Sequence, residues 1–231
     1  MRLICIISAV HSRKKSPLSK HQIATIFNVL RILKNINPGD SYYEAYLAHL
    51  KRNGESLYDI YMLLWEIGST KAPRRILEVG TRTGISLCQL LSSYLDPTAV
   101  DRIVCVDPMD DGFLSPNLVR KNLRHLFLPA EKVEFIQEKS DSALSRLIDE
   151  GALFDQILID GDHTKAVARQ DLESAHKLCD KGGTICFDDV SPAPGECALI
   201  DVWQDFETNH EREYEFNVNM VGKGVAWAVK K

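Results

Sequence analysis

From Pro73 onward the chain alternates short apolar runs with longer stretches whose apolar residues recur at helical spacing. The runs Arg75–Val79, Arg102–Val106, 132–136, Phe154–Ile159 and 184–187 read as strands, because they are rich in Val, Ile, Leu and Phe, and all but 132–136 stop on an acid or a glycine. Residues 85–94, 118–126, 142–150 and 165–179 carry the 3.6-residue pattern of helices between them. Strands that alternate with helices pair in parallel, with helices on both faces of the sheet. Two later runs, 213–219 and 224–229, flank Val221-Gly-Lys-Gly224 and read as an antiparallel hairpin. The fold expected is therefore α/β: a Rossmann-like, doubly wound, mostly parallel seven-stranded sheet closed by a C-terminal antiparallel hairpin.

Three helical patterns precede the first strand, at 21–35, 41–52 and 55–67, the last stopping at Gly68. They make residues 1–72 a lead-in and helical extension, or cap, and leave 73–231 as the cofactor-binding domain. The aromatics Tyr42, Tyr43 and Trp65 could roof a substrate pocket, although a stripe at helical spacing more often packs as core. Residues 1–10 contain a short apolar run and are followed by a basic stretch, His11-Ser-Arg-Lys-Lys15. That order is the reverse of a secretory signal, and the run is too short to span a bilayer.

The chain has 231 residues, 45% hydrophobic and 26% charged, with a formal net charge of −4. This balance suits a globular domain and gives no basic footprint for nucleic acid. No membrane partner is expected, and a homo-oligomer is compatible with the composition. None of the six cysteines forms a CxxC pair, and Cys105 and Cys186 lie inside strand-like runs. Buried reduced thiols and a cytoplasmic location are the corresponding expectations.

The chemistry concentrates between Phe154 and Val190. One apolar run ends on Asp160-Gly-Asp-His163 and another on Asp188-Asp189. In an open parallel sheet both ends lie on the carboxyl edge, where ligands bind, so Asp160, Asp188 and Asp189 should converge. Converging carboxylates repel unless a cation, a proton or hydrogen-bond donors hold them, and a hard divalent ion such as Mg2+ is the simplest answer. His163 follows within reach, as a proton acceptor or as a cap on the next helix. The other histidines, His125, His176 and His210, read as ordinary surface residues.

The first strand runs into Glu78-Val-Gly80-Thr81-Arg-Thr-Gly84-Ile-Ser86, a glycine-bearing turn that opens a helix. Gly80 allows a bend and close approach of a ligand, and Gly84 allows tight packing at the helix start. Asp107 ends the second strand, where a carboxylate can accept both hydroxyls of a ribose or simply tie down the strand end. Ser140-Asp141-Ser142 after the third strand offers a polar turn and helix cap where an adenine could be hydrogen-bonded. Trp203 could stack on a ring, with core packing the stronger alternative.

In that order, Glu78-x-Gly80-x-x-x-Gly84-x-Ser86, Asp107, Ser140-Asp141-Ser142, Asp160-Gly-Asp-His163, Gly182-Gly183 and Asp188-Asp189 resemble class I S-adenosylmethionine-dependent O-methyltransferases. The Ile-Asp-Gly-Asp-His segment, Asp171-Leu-Glu173 and the final Asp-Asp are similar to the subgroup of macrolide-sugar O-methyltransferases and cephalosporin-hydroxylase-like proteins. The resemblance covers 75–190. It implies cofactor contacts from Glu78, Gly80, Thr81, Gly84, Ser86, Asp107, Ser140, Asp141 and Asp160. It further implies a divalent metal, Mg2+ or another, on Asp160, Asp188 and Asp189, and catalysis by His163 with Asp160. Catechol-type relatives carry Asp-Asn at the final pair and a lysine base, so the acceptor expected here is a hydroxylated small molecule of the sugar or glycosylated natural-product kind. Two competing classes remain: a nicotinamide oxidoreductase, disfavoured because the turn lacks G-x-G-x-x-G spacing, and a cofactor-binding domain without catalysis.

Overall fold

The computed structural model describes residues 60–110, 115–125, 128–192, 197–220 and 223–231. The helices expected at 21–35 and 41–52, the start of the one at 55–67, and the Tyr42, Tyr43, Trp65 and His125 side chains lie outside the described residues, as do the tips of the loops after Pro108 and Ser191. Residues 58–231 form one compact unit.

Helix α1 (Ile60–Thr70) leads into β1 (Arg75–Val79), then α2 (Ile85–Ser92), β2 (Arg102–Val106), α3 (Pro116–His125) and β3 (Val133–Ile136). There follow α4 (Ser140–Asp149), β4 (Phe154–Ile159), α5 (Lys165–Leu178), β5 (Cys179–Asp188), α6 (Ile200–His210), β6 (Tyr214–Asn219) and β7 (Val225–Lys230). The seven strands form one sheet in the order β3-β2-β1-β4-β5-β7-β6. β1 to β5 pair in parallel, and β7 inserts antiparallel between β5 and β6.

That order follows from the burial of the strands. β1, β2 and β4 are buried on both faces and must be covered twice. Leu77, Val79, Val104, Val106, Ile157, Ile159, Ile185 and Phe187 pack with the inner residues of α4, α5 and α6. Ile76, Glu78, Gln156 and Leu158 face the other way, toward Leu64 of α1 and Leu87 and Leu90 of α2. Trp203 belongs to the core: it is 1% exposed and stacks on Phe187 with ring centroids 6.0 Å apart. Cys88, Cys105, Cys179 and Cys186 are buried free thiols, and burial pushes Cys186 up to about 12.

The direction of the chain reverses between β1 and β4. β2 and β3 lie to one side of β1, whereas β4 and β5 lie to the other, which opens a crevice at the carboxyl ends of β1 and β4. At the amino edge, Asp155 ties these strands together. Its Oδ2 accepts from the Arg74 and Arg75 N–H groups, while Arg75 Nη2 donates to Asp155 Oδ1 and, at 2.6 Å, to Asp180 Oδ2.

Several boundaries differ from the sequence expectation; α1 runs past the expected stop at Gly68 to Thr70. β5 begins at Cys179, five residues before the expected 184, because Cys179 already pairs with Phe154 across an irregularity in register. Gly182, at φ +77°, lets the chain bend within the strand without leaving it. Helix α4 begins at Ser140 with Lys139 at its N-cap and no side-chain capping bond, so Ser140-Asp141-Ser142 form the first turn and not the expected cap.

Candidate functional site

The turn after β1 is shaped by a close approach of two backbones. Gly80 has φ +86°, and a Cβ there would fall 1.8 Å from the Asp160 carbonyl oxygen. Gly80 N–H donates to Val106 O and Asp160 N–H donates to Val79 O, so the ends of β2, β1 and β4 are stitched together beneath the crevice. Gly84, the N-cap of α2, lies against α3: a Cβ would meet Val119 Cγ1 at 2.6 Å, which is the tight packing expected there.

The other turn residues divide by exposure. Gly80, Arg82, Ser86 and Asp160 keep partial access to solvent, whereas Glu78, Thr81, Gly84 and Asp107 are buried. Glu78 lines a small pocket with Ser86, Leu87 and Gln156 under α2, and its Oε2 has no hydrogen-bond partner. Burial pushes its carboxyl up to about 8, against the opposing hydrogen bond from Thr81. Asp107 spends both oxygens locally, accepting from Arg82 N–H at 2.7 Å and Met109 N–H at 2.8 Å. These two bonds hold the loops after β1 and β2 in place. Ser140 and Asp141 stand at the start of α4. Burial pushes the Asp171 carboxyl beside Ser140 up to about 6, with the Ser140 hydroxyl pulling the other way.

The acidic strand ends do converge. Asp160, Asp188 and Asp189 each offer an oxygen, all within 4.8 Å of one another. Asp188 and Asp189 are 4% and 1% exposed. His163 joins them from the turn after β4, its Nδ1 3.0 Å from Asp189 Oδ2. The helix-cap alternative for His163 fails: Asp162 Oδ1 accepts from Thr164 N–H, and Thr164 is the N-cap of α5.

A residue that the sequence reading missed completes the cluster. Lys223, in the β6–β7 turn, places its Nζ 2.5 Å from Asp189 Oδ1 and 3.9 Å from Asp188 Oδ2. Its signal was a lone lysine between the glycines of Val221-Gly-Lys-Gly224, and only the insertion of β7 beside β5 brings it to the acids. Burial would lower the lysine's proton affinity, but Asp188, Asp189 and Asp160 outweigh it and raise it. For Asp189 burial is likewise outweighed: His163 and Lys223 hold its carboxyl below the usual range. Burial, and to a lesser degree Asp189, push Asp160 up to about 6 against Lys223. The hydrogen bond to Asp189 raises His163 above its ordinary value.

Backbone strain marks the same edge. Arg82 (φ 45°), Met109 (φ 52°) and Asp189 (φ 61°) are left-handed non-glycine residues just after β1, β2 and β5. Such conformations persist where surrounding contacts over-determine them, commonly at functional sites. Here those contacts are the Asp107 bonds to Arg82 and Met109 and the His163 and Lys223 partners of Asp189.

A family model described as a methyltransferase domain matches residues 77–190, from inside β1 to just past the acidic pair. No curated protein matches the chain. Among solved structures, an O-methyltransferase from Bacillus cereus in complex with SAH superposes with a TM-score of 0.59 at 20% identity, covering 100% of both chains. The O-methyltransferase TomG from Streptomyces achromogenes, involved in tomaymycin synthesis and solved with SAM, gives 0.57 at 20% identity over 86% of this chain and 98% of its own. Identities this low carry the fold.

Proposed function

We propose that the methyltransferase domain at 77–190 transfers the sulfonium methyl group of S-adenosylmethionine to a hydroxyl of a small molecule, with a sugar or glycosylated natural product as acceptor. The observation that carries this reading is His163 held by Asp189 in the carboxyl-edge crevice, next to the Gly80 turn. Methyl transfer is an in-line displacement. The protein has to align the two reactants and remove one proton.

The chain's own groups divide that work. The turn from Glu78 to Ser86, with Thr81 and Gly84 shaping it, cradles the cofactor, helped by Asp107, Ser140, Asp141 and Asp160. Asp189 fixes the His163 ring through Nδ1 and leaves Nε2 to take the acceptor's proton. The acceptor oxygen then attacks the methyl carbon, the carbon–sulfur bond breaks, and its electron pair stays on sulfur as the neutral thioether.

The three carboxylates suit a hard cation, since they offer only oxygen atoms from a crowded set in which Asp188 and Asp189 are buried. Asp160, Asp188 and Asp189 would hold Mg2+ or another divalent ion, which would supply acidity and orientation to neighbouring acceptor hydroxyls. The Lys223–Asp189 ion pair favours a second reading, in which the ammonium supplies the positive charge and no ion is needed.

The test is formation of S-adenosylhomocysteine with a panel of sugars, glycosides and catechols, before and after exhaustive chelation. Turnover that stops on chelation and returns with Mg2+ supports the first reading, whereas turnover unaffected by chelation supports the second. Tight S-adenosylmethionine binding without methylation of any acceptor would make this a non-catalytic cofactor-binding domain. Retention of NAD in its place would make it an oxidoreductase.

A further inference from the structure

At the amino edge of the sheet, opposite the crevice, the ends of α5 and α6 and the start of β6 bring together residues that are distant in sequence. His176, His210 and Glu213 each offer one ligand atom, all within 4.8 Å of one another. Glu213 Oε1 is 3.0 Å from His210 Nδ1, and its Oε2 is 4.0 Å from His176 Nε2. The two imidazole rings are tilted by 32° to one another, with centroids 4.1 Å apart.

The nitrogens that face away from Glu213 are anchored too. His176 Nδ1 is 3.1 Å from the hydroxyl of Tyr214, a residue only 1% exposed. His210 Nε2 is 3.4 Å from Glu173 Oε2. Each ring therefore directs one nitrogen at a shared point and has the other held by an oxygen. Metal-ligating histidines show this pattern, with the outer hydrogen bond fixing tautomer and ring orientation. A tetrahedral zinc with bonds of about 2.0–2.1 Å has ligand atoms roughly 3.3 Å apart, within the range of separations found here.

We propose that His176, His210 and Glu213 form a zinc-binding site, with Tyr214 and Glu173 orienting the two imidazoles. Two imidazoles and one carboxylate suit Zn2+ far better than Mg2+, which prefers all-oxygen shells. The set is thus chemically distinct from the carboxylates of the crevice. Glu213 is half exposed, so a fourth position opens to solvent. An ion here pins the ends of α5 and α6 to β6.

The test is calorimetric titration of the metal-free full-length protein with Zn2+ in excess Mg2+, together with thermal melts. The wild type and Asp188→Asn should each bind one equivalent at this set and melt higher with Zn2+. His176→Ala and Glu213→Gln should weaken that binding about a hundredfold. Glu213 lies at the surface, so Glu213→Gln decides the matter if His176→Ala does not fold. No zinc binding, binding unchanged in the folded variants, or binding lost only in Asp188→Asn would overturn the site.

Discussion

His163 Nδ1 lies 3.0 Å from Asp189 Oδ2, and Asp189 holds that position from a left-handed backbone, φ 61°. The pair joins the turn after β4 to the end of β5, so the imidazole is oriented by a residue from the neighbouring strand.

His163→Ala should lower kcat/KM about a hundredfold or more while leaving cofactor affinity unchanged, because the ring acts on a proton in the transition state. The pH profile follows from the direction of the shift. Asp189 stabilises the protonated ring, so the neutral base is populated only at higher pH, and the rate should rise with pH through a midpoint above that of free histidine. Asp189→Asn should move that midpoint downward. An unchanged profile in both variants would remove His163 from the chemistry.

Lys223→Met takes the ammonium away from Asp188 and Asp189. Removing one partner of a buried charge pair costs on the order of 3–5 kcal/mol, less where solvent reaches the pair, as it does at Lys223. A lower melting temperature is expected, partly restored by Mg2+, with restoration larger than in the wild type. A variant as stable as the wild type, and equally indifferent to Mg2+, would show that Lys223 does not balance these acids.

Glu78→Gln tests the buried carboxyl under α2. The folded state holds the Glu78 proton up to about 8, whereas the unfolded chain releases it near the ordinary value of 4.5. Between those values the folded state binds more protons, so this group makes stability fall as pH rises. The glutamine variant should melt higher than the wild type at pH 8, with the gap closing toward pH 5. Parallel melting curves across that range would mean that Glu78 is ionised in the folded protein.

Four of the five parallel strands, β1, β2, β4 and β5, were legible because each carries a buried apolar run that leads to a chemically distinct residue: Gly80, Asp107, Asp160 or Asp188. Strand ends fix position along the sheet, so the convergence of Asp160 with Asp188 and Asp189 could be read from sequence. Lys223 could not be, since it reaches the acids only through antiparallel pairing of β7 with β5. His176 and His210 read as surface residues for a similar reason. Each is unremarkable on its own helix, and their meeting depends on how α5 and α6 pack. The Gly182-Gly183 pair looked like a strand boundary because glycine usually weakens strands, yet here it lies inside β5.

The place of β7 in the sheet also governs when the crevice can be completed during synthesis. β1, β4 and β5, with their acids, emerge from the ribosome before Lys223 and the strand that carries it to them. Until β7 slots between β5 and β6, the acidic pair has no lysine beside it and β5 presents a bare edge. A nascent chain in that interval depends on solvent cations to quiet its carboxylates and is exposed to pairing with other strands. β7 is therefore the strand that both covers the open edge of β5 and brings to the site the charge that balances its acids.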